Sequence, residues 1–203
     1  MSYATRNRRP PTTLTDEEVK RVLAVTGKAA SGFRDHVILS LALGAALREF
    51  EIVALDVGDV LTVDGGIRKV LLLRTFKGSG KKGEKPQRVH LPESTFYKLE
   101  KFARVEKLDQ FYRDAPLFWS RKGNRLSVRA VRGMFARWQQ LAGFPELHNF
   151  HRLRHTAITL HYRRCKDLRL TQRFARHVSI DTTTVYEHGS DEELAASVRG
   201  LPV

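Results

Sequence analysis

The chain has 203 residues, with 36 Lys+Arg against 22 Asp+Glu and a formal charge of +14; at 41% hydrophobic and 29% charged it suits one globular domain, or one domain and an arm. No apolar run is long enough to cross a bilayer, and the start, MSYATRNRRPP, has no apolar core of a secretory signal, so a cytoplasmic protein is expected. Such a basic excess attracts polyanions through counterion release, which favours nucleic acid over a membrane surface because no basic helix carries a continuous bulky apolar face.

Residues 1–13 form a basic, Pro-containing arm (Arg6, Arg8, Arg9, Pro10, Pro11), and the remaining residues, 14–203, read as one domain. Thr15 and Glu18 make a capping box at the start of a first helix with Val19, Val22 and Leu23 on one face. A second helix is expected from about Ser31 to Gly44, with Phe33, Val37, Ile38 and Leu41 as its buried stripe. A short helix carrying Ile52, Val53 and Leu55 follows, with Arg48 and Glu51 together at its start. Arg48 lies unusually deep in apolar sequence, which suggests a buried guanidinium with a task.

Ile67–Thr75 and Gln87–Leu91 read as paired strands. The segment between them, FKGSGKKGEKP, is an exposed hairpin loop with Lys77 at its root and Lys81, Lys82 and Lys85 beyond. It lacks the GxxxxGK[ST] pattern of a nucleotide-binding loop. A helix from about Glu93 to Lys107 should bury Phe96, Leu99 and Phe102. Ser127 caps the next, whose Val131, Met134, Phe135, Trp138 and Leu141 recur at core spacing until Gly143 ends it. The fold class is therefore α+β and mostly α-helical, with a small antiparallel sheet.

The most informative stretch runs from His151 to His188. On one helix His151 and Arg154 share a face at i and i+3. His148, His151 and His155 have HxxHxxxH spacing without the Glu of HExxH, which disfavours zinc. The single cysteine, Cys165, excludes an internal disulfide and reads as structural. Almost no carboxylates stand near His151 to hold Mg²⁺, so chemistry on a phosphodiester would rest on protein cations. Arg48 and Arg154 can clamp non-bridging oxygens bidentately, His151 and His177 can bind or transfer protons, Lys77 can serve as an acid, and Tyr186 as the nucleophile. Arginines on two helices, Arg129 and Arg132, then Arg169, Arg173 and Arg176, with Lys81 and Lys82, are candidate DNA contacts, although phosphate and base contacts look alike at this level.

These residues stand as His151-Arg152-Leu153-Arg154-His155, Arg176-His177 and Thr182-Thr183-Thr184-Val185-Tyr186-Glu187-His188, preceded by Ala46-Leu47-Arg48-Glu49-Phe50-Glu51. In that order they resemble the HxLRH, GH, TTxxYxH and GLRxSE boxes of the tyrosine recombinases, the phage-integrase-type site-specific recombinases. The resemblance implies their helical catalytic domain, without the N-terminal core-binding domain usual in the family. It implies Arg48, Lys77, His151, Arg154 and His177 as activating residues, Tyr186 as nucleophile through a 3′-phosphotyrosine, and Glu51 as support for Arg48. It also implies strand exchange on double-stranded DNA by a homo-oligomer (dimer or tetramer), with an accessory protein as a further expected partner and no metal, nucleotide or other cofactor. The chain departs from the family at Ala46 and Arg176, both usually Gly, and only a short helix, about Asp191–Val198, follows Tyr186. A type IB topoisomerase-like nicking and resealing enzyme and a catalytically silent DNA-binding protein are the alternatives.

Overall fold

The computed structural model describes residues 12–29, 32–79 and 85–186. Residues 1–11, the loop lysines Lys81 and Lys82, His188 and the expected helix after Tyr186 lie outside the described residues. The described residues divide into two compact units, one of residues 12–157 and one of residues 158–186.

In the first unit, α1 (Asp16–Lys28) opens with the expected capping box: the Thr15 hydroxyl accepts from the Glu18 amide at 3.2 Å and the Glu18 carboxylate accepts from the Thr15 amide at 2.8 Å. The second helix, α2 (Phe33–Ala45), starts two residues later than expected and is buried on more than one stripe, since Leu39, Ser40 and Ala42 are as enclosed as Val37, Ile38 and Leu41. It packs against α1, α3 (Glu49–Val53) and α5 (Glu93–Val105), so a sequence apolar on nearly every face finds a partner on each. Close approach to α5 requires Gly44, where a Cβ would come within 2.5 Å of the Thr95 hydroxyl. At the other end of α2, buried Asp35 accepts from Arg34 at 2.7 Å, from the Trp138 indole at 2.8 Å and from Arg137 at 3.3 Å, fastening α2 to α6 (Val128–Leu141).

The helical turn α4 (Val57–Val60) leads to an antiparallel pair, β1 (Val70–Leu73) and β2 (Gln87–His90), registered with Leu71 opposite Val89. The pairing is shorter than the expected Ile67–Thr75, because Ile67 bridges Leu61 instead of extending the ladder. Leu71, Leu73 and Val89 face the core. On α6 the expected spacing buries Val131, Met134, Phe135 and Trp138, but Leu141 is 60% exposed in the last turn. Among the described residues no helix is long and apolar enough to cross a membrane.

A seam joins the residues before α1 to the start of α7 (His151–Cys165), whose first turns, to Ala157, belong to this unit. Arg152 donates to the Thr12 hydroxyl at 2.9 Å and to His148 Nδ1 at 2.7 Å. An arginine can only donate, so Nδ1 accepts and His148 Nε2–H donates to Glu18 at 3.2 Å. Alongside, the Leu14 amide donates to Thr156 Oγ1 at 2.9 Å, and that hydroxyl donates to the Arg152 carbonyl at 2.8 Å.

In the second unit, α8 (Leu168–Ala175) is capped by the Asp167 carboxylate, which accepts from the Leu170 amide at 2.9 Å, and packs on α9 (Asp181–Thr184).

Candidate active site

Between α2 and α3 the chain turns sharply. Ala46 takes the left-handed conformation at φ 50°, ψ 36°, and Arg48 then returns to extended backbone as the cap of α3. One carboxylate fixes both ends of Arg48: Glu51 Oε2 accepts from its amide and Glu51 Oε1 from its guanidinium, each at 2.8 Å. The Glu51 side chain is fully buried while that of Arg48 is 15% exposed, so the pair sits with its anion inward and its cation toward the surface. The left-handed turn also presents the Ala46 carbonyl to Arg154 Nη1, which donates to it from α7. Arg154 is itself buried. Two arginines separated by most of this unit's sequence are thereby held on one tight turn.

His151 opens α7 beside them. Desolvation holds its pKa below the ordinary histidine value, and the charges of Arg154 and Arg48 lower it further, against the opposing pull of Glu49 and Glu51. The residue nonetheless keeps an exposed surface. His155, one turn on, meets it edge to face with centroids 4.7 Å apart. Burial, then His151, Arg154 and Arg152, depress the His155 pKa to about 4. Lys77 stands exposed in a turn after β1, where Gly78 at φ 92° lets the Ser79 amide reach the Phe76 carbonyl at 2.9 Å.

The second unit carries His177 and Tyr186. Arg176 ends α8 in the left-handed region at φ 56°, so Ala46 and Arg176 both hold a backbone conformation that favours glycine, one with alanine and one with arginine. His177 Nδ1 lies 2.9 Å from Thr183 Oγ1, and its ring stacks on that of Tyr186 with centroids 6.5 Å apart. Tyr186 is buried, its amide donating to the Thr183 carbonyl at 3.0 Å. Cys165 is half-buried, with His161 Nδ1 and Thr171 Oγ1 each 3.5 Å from its sulfur. Among the described residues no group of His, Cys, Asp or Glu has the arrangement of a metal site.

The candidate DNA contacts differ in their surroundings. Arg129 and Arg173 are exposed, and Arg169 is exposed with a 3.3 Å bond to Gln172. Arg132 is tied to Glu49, its Nε lying 3.0 and 3.1 Å from the two carboxylate oxygens. Sequence reasoning passed over Glu49, His155 and Thr183 as parts of the site. His155 was readable, being four residues from His151 on the same helix. Glu49 and Thr183 acquire their partners only through folding.

The sequence profile of the Phage integrase family matches residues 12–193. A tyrosine recombinase XerC of Vibrio parahaemolyticus is 31% identical over 193 residues, 95% of this chain and 59% of the relative. XerC of Vibrio cholerae is 29% identical over 195 residues, 96% of this chain and 60% of the relative. The chain thus spans about 60% of the length of the curated relatives it matches. Among solved structures, XerH site-specific recombinase bound to its difH substrate superposes with TM-score 0.73 at 24% identity, covering 98% of this chain and 56% of that one. The Tn1549 transposon integrase in complex with circular intermediate DNA gives TM-score 0.76 at 18% identity, over 95% of this chain and 68% of that one.

Proposed function

Since the chain belongs to the phage integrase family, we propose that it cleaves and rejoins DNA strands by transesterification through Tyr186, exchanging strands between sites on double-stranded DNA as a homo-oligomer. The observation that carries this reading is the turn at Ala46–Arg48, which sets Arg48 on a buried carboxylate and Arg154 on a backbone carbonyl. Holding two guanidiniums in place before substrate arrives is what electrostatic stabilisation of a phosphorane-like transition state demands, because nothing then has to reorganise as charge develops.

In the reaction, the Tyr186 phenol oxygen forms a bond to phosphorus and the bond from phosphorus to the 5′ oxygen breaks. The phenolic proton must leave to a base as that bond forms, and a histidine whose pKa lies below the ordinary value, as that of His151 does, is in the neutral form able to serve as one. Lys77 donates a proton to the departing 5′ oxygen, and Arg48, Arg154 and His177 bind the non-bridging oxygens. Rejoining is the reverse: a 5′-hydroxyl attacks the 3′-phosphotyrosine and the phenol leaves. Bond energy is retained in the covalent link, so no nucleotide is consumed. Arg129, Arg132, Arg169, Arg173 and Arg176 with Lys81 and Lys82 supply the phosphate contacts that hold the duplex.

The test is incubation with a nicked duplex that loses its short 5′ fragment after cleavage and so traps the intermediate. A denaturation-resistant protein–DNA adduct that disappears in Tyr186→Phe is expected. DNA binding without adduct, across a panel of candidate sites, would leave a DNA-binding protein with this fold and no strand exchange.

A further inference from the structure

Thr183 is wholly buried and holds both of the groups that the reading above makes reactive in the second unit. Its hydroxyl oxygen lies 2.9 Å from His177 Nδ1, and its carbonyl accepts from the Tyr186 amide at 3.0 Å. It sits in α9, whose register is fixed by the Thr183 amide donating to the Ile180 carbonyl at 2.6 Å. The His177 backbone is fastened from the other side, its amide donating to the Gln172 carbonyl at 3.1 Å and its carbonyl accepting from the Gln172 side chain at 3.2 Å. Backbone and ring are therefore held by different elements, α8 for the one and α9 for the other.

A phosphate oxygen can only accept, so His177 must present an N–H to it. A neutral imidazole has one N–H, and which nitrogen carries it is decided by the bond made at the other. Were Nδ1–H to donate to Thr183, the neutral ring would offer Nε2 as an acceptor and meet a phosphate lone pair to lone pair. Were the Thr183 hydroxyl to donate to Nδ1, Nε2 would carry the proton without the ring having to be charged.

We infer that Thr183 is a positioning residue that donates its hydroxyl proton to His177 Nδ1, fixing His177 as the Nε2–H tautomer so that it serves as a hydrogen-bond donor to the scissile phosphate while uncharged. The inference deepens the strand-exchange reading and rests on it for the role of His177. It gives the hydroxyl of a buried threonine a task that packing alone would not require.

Two measurements test it. Nitrogen-15 chemical shifts of the His177 ring, recorded on the protein at pH 7.5 without DNA, should report Nε2–H in the wild type and in Thr183→Ser. Thr183→Val keeps the β-branched shape and removes the hydroxyl, and it should show mixed tautomers. An Nδ1–H ring in the wild type overturns the proposal whatever the activity. The second measurement is the single-turnover rate of adduct formation on the nicked duplex. Thr183→Val should slow it roughly 10- to 100-fold, by analogy with loss of the outer hydrogen-bond partner of a metal-bound histidine, and its rate relative to wild type at the same pH should recover as pH falls and the ring gains its second N–H. Thr183→Ser should recover most of the rate. A Thr183→Val rate equal to wild type, or one lowered equally at every pH with no recovery in Thr183→Ser, refutes the tautomer role. If the wild type gives no adduct at all, the strand-exchange reading fails and, with it, the task assigned to His177, while the ring shifts still decide the direction of the Thr183 bond.

Discussion

Replacing Glu51 by glutamine tests whether the site is built around one carboxylate. Glu51 accepts two hydrogen bonds of 2.8 Å, from the Arg48 amide and guanidinium, and its side chain is fully buried. Glutamine matches the shape but offers one acceptor oxygen, so its amide nitrogen must face one of these donors. Breaking a buried ion pair from one side costs about 3–5 kcal/mol; the 15% exposure of Arg48 puts the loss at the lower end, about 3 kcal/mol. In a domain of this size that lowers Tm by roughly 6–12 °C. Urea unfolding and thermal melts measure it, and adduct formation on the nicked duplex measures the effect on Arg48, whose displacement by about 1 Å should cost on the order of 100-fold in rate. Arg48→Ala alone should cost more stability than Arg48→Ala combined with Glu51→Gln, because the single change removes Arg48's charge from beside a buried anion. A Glu51→Gln protein within about 0.5 kcal/mol of wild type and normal in cleavage would refute the reasoning. So would a double substitution whose costs simply add.

Three further outcomes are expected. Ala46→Gly relieves about 1–2 kcal/mol of left-handed strain but loses a buried methyl worth about 0.8 kcal/mol and frees the unfolded chain by about 0.7 kcal/mol; it should leave Tm almost unchanged, whereas Ala46→Val should destabilise markedly, and equal melts for the two would refute the left-handed turn. Burial, then Lys98, pushes the His36 pKa down to about 4, as burial and neighbouring cations do for His155; between the ordinary histidine pKa and about 4 the unfolded chain therefore binds more protons, so stability is complete above about pH 6.5 and is lost as pH falls toward 4. A urea midpoint that stays level from pH 7 to pH 5 would contradict this, and His155→Gln should flatten the slope in part. Arg132 is 64% exposed, so its pairing with Glu49 should contribute little to stability; Glu49→Gln should instead tighten DNA binding by freeing Arg132, and Arg132→Ala should reduce the salt dependence of binding by about one counterion. No change in either titration would remove Arg132 from the DNA contacts.

Much of the site was legible in the sequence where the signal was local. The capping box of Thr15 and Glu18 and the pairing of Arg48 with Glu51 lie within one helical turn, and both form as read. The core of α6 followed from spacing until Leu141, which the last turn leaves exposed although it continues the apolar spacing. Reading α2 as a single stripe failed because periodicity ranks faces and cannot show that every face is covered. The left-handed backbone at Ala46 and Arg176 was hidden for another reason: alanine and arginine do not advertise a positive φ as glycine does. The bond between Thr183 and His177 needs a turn between two helices, which spacing does not specify.

The seam beside α7 has a consequence for the order in which the chain becomes whole. The bonds from Leu14 to Thr156 and from Arg152 to Thr12 close loops of 142 and 140 residues, and that from Arg154 to Ala46 closes one of 108. On a ribosome adding about 5–20 residues per second, the residues before α1 wait roughly 7–28 s for their partners. α1, α2 and the hairpin can fold against one another during that time, but the arginine turn lacks Arg154 until α7 is made. Completion of the arginine turn is thereby postponed until α7 has been made, and a nascent chain released before then would have a core whose turn lacks Arg154.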